Sequence, residues 1–92
     1  MEFEWDSSKE IINIQKHGVS FMEAVETFYD PMGFQLTDEK HSRQESRYFW
    51  VGRSRSGRIL TTRFTRRGSM IRIIGSAEWR QFRRLYEKTK NP

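Results

Sequence analysis

Three strand-like runs fill residues 47–74, and the short turns between them leave few ways to fold the chain. The run Arg47–Ser54 contains Tyr48-Phe49-Trp50-Val51, and Ser54-Arg55-Ser56-Gly57 follows it with hairpin-turn chemistry. In Ile59–Thr65, the residues Leu60, Thr62 and Phe64 alternate with Ile59, Thr61, Arg63 and Thr65. One face is therefore expected to be mostly apolar and the other mostly polar and wet. Arg66-Arg67-Gly68-Ser69 turns the chain again, and Met70–Ile74 returns with Arg72 opposite Ile71 and Ile73. Runs joined by connections this short can pair only as antiparallel hairpins.

Helical signals flank this block. Asp6 and Ser7 offer N-cap chemistry, and Ser7 with Glu10 forms a capping-box pattern, predicting a helix over Ser8–His17 that buries Ile11, Ile14 and Ile12. Gly18 stands where a left-handed C-terminal residue is expected, with Lys16 and His17 in the last turn. Ser20 and Glu23 repeat the capping pattern, and Phe21, Ala24, Val25 and Phe28 form an apolar stripe at helical period. Asp30-Pro31 ends that helix. Gly33–Thr37 reads as a short strand, residues 38–42 as a polar loop, and Phe3-Glu4-Trp5 as an edge strand or apolar plug. After a break at Gly75-Ser76, Trp79, Phe82 and Tyr86 mark a last helix, with a tail frayed from Thr89. The expected fold class is α+β: a small antiparallel sheet of three to four strands, two N-terminal helices and one C-terminal helix, all packed on one side. Its 92 residues suit a single domain.

Charge narrows the function. Residues 1–46 hold four Lys/Arg against ten Asp/Glu, a balance of −6, and residues 47–92 hold thirteen against two, a balance of +11. Arginine outnumbers lysine there by eleven to two, and its planar fork matches phosphate oxygens bidentately. A polyanion partner is expected for the stretch Arg58–Lys88. The chain has no cysteine, an acidic start without an apolar core, and no apolar run long enough to span a bilayer. Those features suit a reducing cytoplasm and no membrane partner.

The motifs Phe3-Glu4-Trp5-Asp6, Asn13, Lys16-His17-Gly18-Val19-Ser20-Phe21 with Glu23-Ala24, Asp30-Pro31, His41-Ser42 with Glu45 and Arg47, Gly57-Arg58, Thr65 with Arg66 or Arg67, Ile71-Arg72-Ile73-Ile74 and Tyr86-Glu87 occur in this order along nearly the whole chain. In them the sequence resembles the BrnT family of ribonuclease toxins from bacterial type II toxin–antitoxin systems. The resemblance implies a RelE-like fold over a single domain, residues 1–92, and RNA cleavage without metal or other cofactor. It also implies growth arrest through blocked translation and a BrnA-like antitoxin partner, with DNA contacted only indirectly through that antitoxin. The segment Gly75–Trp79 departs from the family pattern, which places an arginine near position 77 where this chain has Ala77 and then Glu78.

Cleavage by internal attack needs a base for the 2′-hydroxyl, charge stabilisation at the phosphate and an acid for the leaving 5′-oxygen. His17 is the first candidate for proton transfer, beside Lys16 at a helix end; the alternative is that both only complement the helix dipole. His41 reads as a solvated or loop-bracing residue. Arg66, Arg72, Arg80 and Arg83 are candidates for charge stabilisation, Arg72 first because it interrupts an apolar strand. Arg63, Arg67, Arg84 and Tyr86 are candidate nucleic-acid contacts, with Tyr86 alternatively a core aromatic. Arg43, Arg53, Arg55 and Arg58 are expected as outer phosphate contacts. The two histidines lack metal-ligand spacing, so no metal site is expected. A rival reading keeps the basic face but no catalysis: an interaction subunit that binds an antitoxin or nucleic acid.

Overall fold

The computed structural model of the chain describes residues 1–90. The hairpin block forms as its turns dictate. Strands β3 (Arg47–Arg53), β4 (Ile59–Arg67) and β5 (Met70–Ala77) pair antiparallel, and β2 (Phe34–Thr37) pairs antiparallel with β3. A fifth strand, β1 (Glu2–Trp5), lies parallel to β5, giving the order β1-β5-β4-β3-β2. The sheet is therefore mixed and five-stranded, where three to four antiparallel strands were expected. A parallel neighbour needs a long crossover, so nothing local in Phe3–Trp5 announces its partner. Two of the inner strands also run longer than expected: β4 extends to Arg67, leaving Gly68 and Ser69 as the turn, and β5 continues through Gly75 and Ser76 instead of breaking there.

The helices do not share one side. Successive strand side chains point to opposite faces, and the two faces carry different cores. Phe64 and Ile71 pack with Phe28 of the second helix segment, and Ile73 packs with Phe21 and Ala24. On the other face, Val51 and Ile59 pack with Tyr86 of the last helix, α3 (Arg80–Lys90). Much of β4 is consequently buried on both faces, and the wet face shrinks to the part that α3 leaves uncovered. α3 remains helical at Thr89, whose hydroxyl donates to the Tyr86 carbonyl at 2.7 Å. Residues 91 and 92 of the expected frayed tail lie outside the described residues.

The first helix, α1 (Ser7–His17), is capped by Asp6, which accepts from the Ser8 amide at 2.8 Å, and ends at Gly18 with φ 65°. Glu10, expected to close a capping box with Ser7, instead accepts from the Phe21 amide at 2.9 Å and holds the start of α2 (Phe21–Thr27). The three isoleucines expected in the core are exposed, and Asn13 is the buried residue. Its amide nitrogen donates to the carbonyls of Val19 and Ser76 at 2.9 and 2.8 Å, and its oxygen accepts from the Ser76 amide at 3.1 Å. These bonds set the rotation of α1. With Asn13 inward, Ile12 and Ile14 lie about 100° to either side and Ile11 nearly opposite.

A second polar tie joins α2 to the β3–β4 turn. Glu23 pairs with the Arg58 guanidinium and accepts from the hydroxyls of Ser54 and Ser56, both at 2.8 Å. Arg58 also donates to the Gly18 carbonyl at 3.0 Å and lies 3.5 Å from Glu78, so it is a structural clamp and not the outer phosphate contact expected. The bond from Arg58, aided by the two serines, outweighs burial and holds the Glu23 carboxyl at about 2, against an ordinary 4.5. A depressed carboxylate stabilises the fold above its unfolded pKa, and that contribution is lost as pH falls from about 4.5 toward 2. The shift corresponds to at most ~3 kcal/mol, reduced to roughly 2 kcal/mol by solvent at the part-exposed arginine. Glu23→Gln should therefore lower stability by about that amount at pH 7 and flatten the acid limb, as read by urea unfolding from pH 2 to 7. An unchanged acid limb would show that Glu23 is not a controlling group.

Candidate functional site

The uncovered part of the α3-side face forms an open cavity of about 780 Å³, lined among others by Asp38, Lys40, His41, Phe49, Arg63, Trp79, Arg80 and Arg84. Its floor comes from strand alternation: Arg63 of β4 pairs in register with Phe49 of β3, so both side chains rise on this face. One rim is a 3-10 turn, Glu39–His41, folded back onto the start of β3. The Asp38 amide donates to the Arg47 carbonyl at 2.8 Å, and the Arg47 amide donates to the Ser42 hydroxyl at 2.9 Å. That hydroxyl in turn donates to the Asp38 carbonyl at 2.6 Å. Turn and sheet are locked together, so side chains on the turn are positioned, not merely solvated.

The turn places His41 against Asp38. His41 Nδ1 lies 3.1 and 3.0 Å from the two carboxylate oxygens, and the Asp38 side chain is only 5% exposed. An ionised carboxylate can only accept, so Nδ1 carries the proton. Nε2 makes no hydrogen bond among the described residues and is left to accept one. Arg63 Nε sits 3.0 Å from the same Asp38 but without hydrogen-bond alignment, and the guanidinium lies 5.5 Å from the Phe49 ring centre and 5.9 Å from that of Trp79. A buried carboxylate thus holds two cationic or protonatable groups at one edge of a basic cavity. A histidine so oriented can take up a proton, and the arginines around it can meet a negatively charged group.

The expected site residues divide. Arg63, Arg80 and Arg84 converge on this cavity. Lys16 and His17 sit at the exposed end of α1 beside a smaller cavity of about 220 Å³, which shares Arg63 and Trp79 with the first. Arg67 is exposed, 4.0 Å from Glu45, and borders a third cavity with His41, Arg43 and Arg47. Four residues lie elsewhere. Arg66 alternates onto the opposite face, over the Phe64 ring and donating to Gln35 at 3.2 Å. Arg72 shares the face with Arg63 but is held at the sheet edge by Glu4 at 2.6 Å, a partner 68 residues away. Arg83 pairs with Glu87 one turn on, at 3.6 Å, while Arg84 turns to the cavity.

Tyr86 is 1% exposed and cannot stack a base in this position. Its hydroxyl donates to Asp30 at 2.6 Å. Burial and that bond push the phenol above its ordinary value. Burial alone would raise Asp30, but the donors Tyr86, Met32 and Arg53 outweigh it and hold the carboxyl below its usual range. Tyr86 is therefore the bolt that fixes α3 to the sheet.

Asp38, Phe49 and Trp79 line this candidate site, whereas the sequence reading passes over Asp38 and Phe49, takes Trp79 only as a mark of the last helix, and ranks His41 below His17. The available signal was the spacing of Asp38 and His41, three apart in a turn, beside a strand whose alternation carries Arg63.

A family model described as ribonuclease toxin, BrnT, of type II toxin–antitoxin system matches residues 5–81. Among solved structures, the chain is similar to the ribonuclease toxin BrnT of Brucella abortus, with a TM-score of 0.63 and 21% identity. The likeness covers 86% of this chain and 96% of that one, and at such identity it speaks for the fold. No curated protein sequence matches the chain.

Proposed function

Because this chain belongs to the BrnT family of ribonuclease toxins of type II toxin–antitoxin systems, we propose that it cleaves RNA at the cavity edged by Asp38, His41 and Arg63. The observation that carries this assignment is the His41–Asp38 pair, which leaves one imidazole nitrogen free beside three arginines. In the proposed reaction His41 Nε2 takes the proton of a 2′-hydroxyl as its oxygen attacks the adjacent phosphorus. The P–O5′ bond breaks, giving a 2′,3′-cyclic phosphate and a 5′-hydroxyl. Asp38 stabilises the imidazolium that forms. Arg63, Arg80 and Arg84 meet the charge that builds on the phosphoryl oxygens. Lys16 and His17, across the shared wall of Arg63 and Trp79, would protonate the leaving oxygen or bind the following phosphate. Each of these steps uses protein groups alone, so cleavage is proposed to need no metal.

We also infer one RelE-like domain over residues 1–92, action in the cytoplasm, arrest of growth by blocked translation, and neutralisation by a BrnA-like antitoxin, a reading that the resemblance to the family supports. Contact with DNA would run only through that antitoxin. Expression of the chain alone should halt growth and fragment total RNA, and coexpression with the antitoxin should restore both. The purified chain should cut RNA in the presence of EDTA. Intact RNA in both settings would instead leave it as an interaction subunit, and cleavage abolished by EDTA would overturn the metal-free mechanism.

A further inference from the structure

Resting on the ribonuclease reading, we propose that Trp79, Phe82 and Phe49 form a stacking subsite for one unpaired nucleobase of the RNA. Their ring centres lie 5.1 to 5.9 Å apart: Phe49 to Phe82 at 5.1 Å, and Trp79 to each of the other two at 5.9 Å. All three are half-buried and line the large cavity. The cluster thus keeps some of its ring surface open to solvent, within an otherwise charged surface.

Two features select the occupant. Lys40, Arg63, Arg80 and Arg84 line the same cavity and outnumber Asp38 and Glu78, which favours an anion over an apolar peptide. The anion must also carry a flat π face, because a phosphate alone covers no ring. A single-stranded nucleotide satisfies both, with its base on the aromatic group and its phosphate among the arginines. The second feature is continuity. Trp79 and Arg63 are walls of both the His41 cavity and the Lys16–His17 cavity. A strand reaching from one to the other must cross the indole. Trp79 is therefore a binding residue that sets register, placing one base so that the next phosphodiester faces His41.

The test uses a short, uncleavable 2′-O-methyl RNA and a series in which each base in turn is replaced by an abasic site. For the native chain, one abasic position should weaken binding about tenfold while the others change little. Trp79→Leu keeps apolar packing but removes the π face; it should weaken the intact RNA about tenfold and lose sensitivity to that abasic position. Equal binding across the series, or Trp79→Leu binding as tightly as the native chain, would overturn the subsite. If Trp79→Leu does not fold, the abasic series on the native chain decides alone. A native chain that cleaves RNA while failing these tests loses only the subsite; one that neither binds nor cleaves RNA loses the ribonuclease reading as well. Trp79→Leu that impairs antitoxin binding but not RNA binding would make the face a protein dock and overturn the proposal.

Discussion

His41→Ala is expected to cut RNA cleavage by ~10²- to 10⁴-fold, the usual contribution of a positioned proton-transfer group. The fold should survive it. The His41 side chain is 43% exposed, and Asp38 keeps Arg63 as a counter-charge when the imidazole is gone. Melting should shift by only about what surface substitutions cause, ~0.5 kcal/mol or less. The decisive comparison is with His17→Ala, assayed on the same RNA. His17 ends α1 beside the smaller cavity, and no carboxylate fixes its ring among the described residues. If His17→Ala abolishes cleavage and His41→Ala leaves it near the native rate, the general base is on α1, as the helix-end pattern suggested. If both variants are silent, each histidine serves one of the two proton transfers.

Asn13→Leu should be the most damaging change to stability among the polar residues, on the order of 3 kcal/mol. The substitution keeps roughly the volume but strips partners from the Val19 carbonyl and from both backbone groups of Ser76. Buried polar groups without partners cost about 1–3 kcal/mol each, and some solvent access at the helix end lowers the sum. In a domain of this size that loss corresponds to a fall of about 12–24 °C in melting temperature. Ile11→Ala supplies the control. Ile11 is exposed, so its truncation should cost little. Denaturant unfolding that ranked Ile11→Ala with Asn13→Leu would show that the isoleucines, not the amide, hold α1 in place.

Those two expectations rest on features of unequal legibility. The helix starts near Asp6 and Ser20, the stop at Gly18, the apolar stripe of α2 and the hairpin turn at Gly57 are each written within a few residues. Capping and turn formation are local reactions of the backbone, so local spacing reveals them. The isoleucines of α1 misled because helical period says which residues share a face, not which face turns inward. A single buried amide with three backbone partners overrode three apolar side chains. Strand length at Gly75-Ser76 misled for a related reason: the ladder to Arg63 and Thr62 and the bonds from Asn13 supply what the residues themselves lack.

The arginines make the division plain. Composition and charge asymmetry by themselves set the expectation of a polyanion partner for the second half, and the ordered motifs agree with the family whose model matches the chain. Which arginines act together is a different quantity. Arg63 and Arg66 are three residues apart and face opposite sides of the sheet; Arg83 and Arg84 are adjacent, and only the second lines the cavity. Arg72 is claimed by Glu4 through the parallel pairing of β1 with β5. Convergence of Arg63, Arg80, Arg84 and the His41–Asp38 pair depends on β4 pairing with β3 and on α3 crossing the far face. Periodicities of 2.0 and 3.6 are local and can be read along a chain. Register and packing side are fixed by contacts between residues far apart in sequence, and those exist only once the chain has folded.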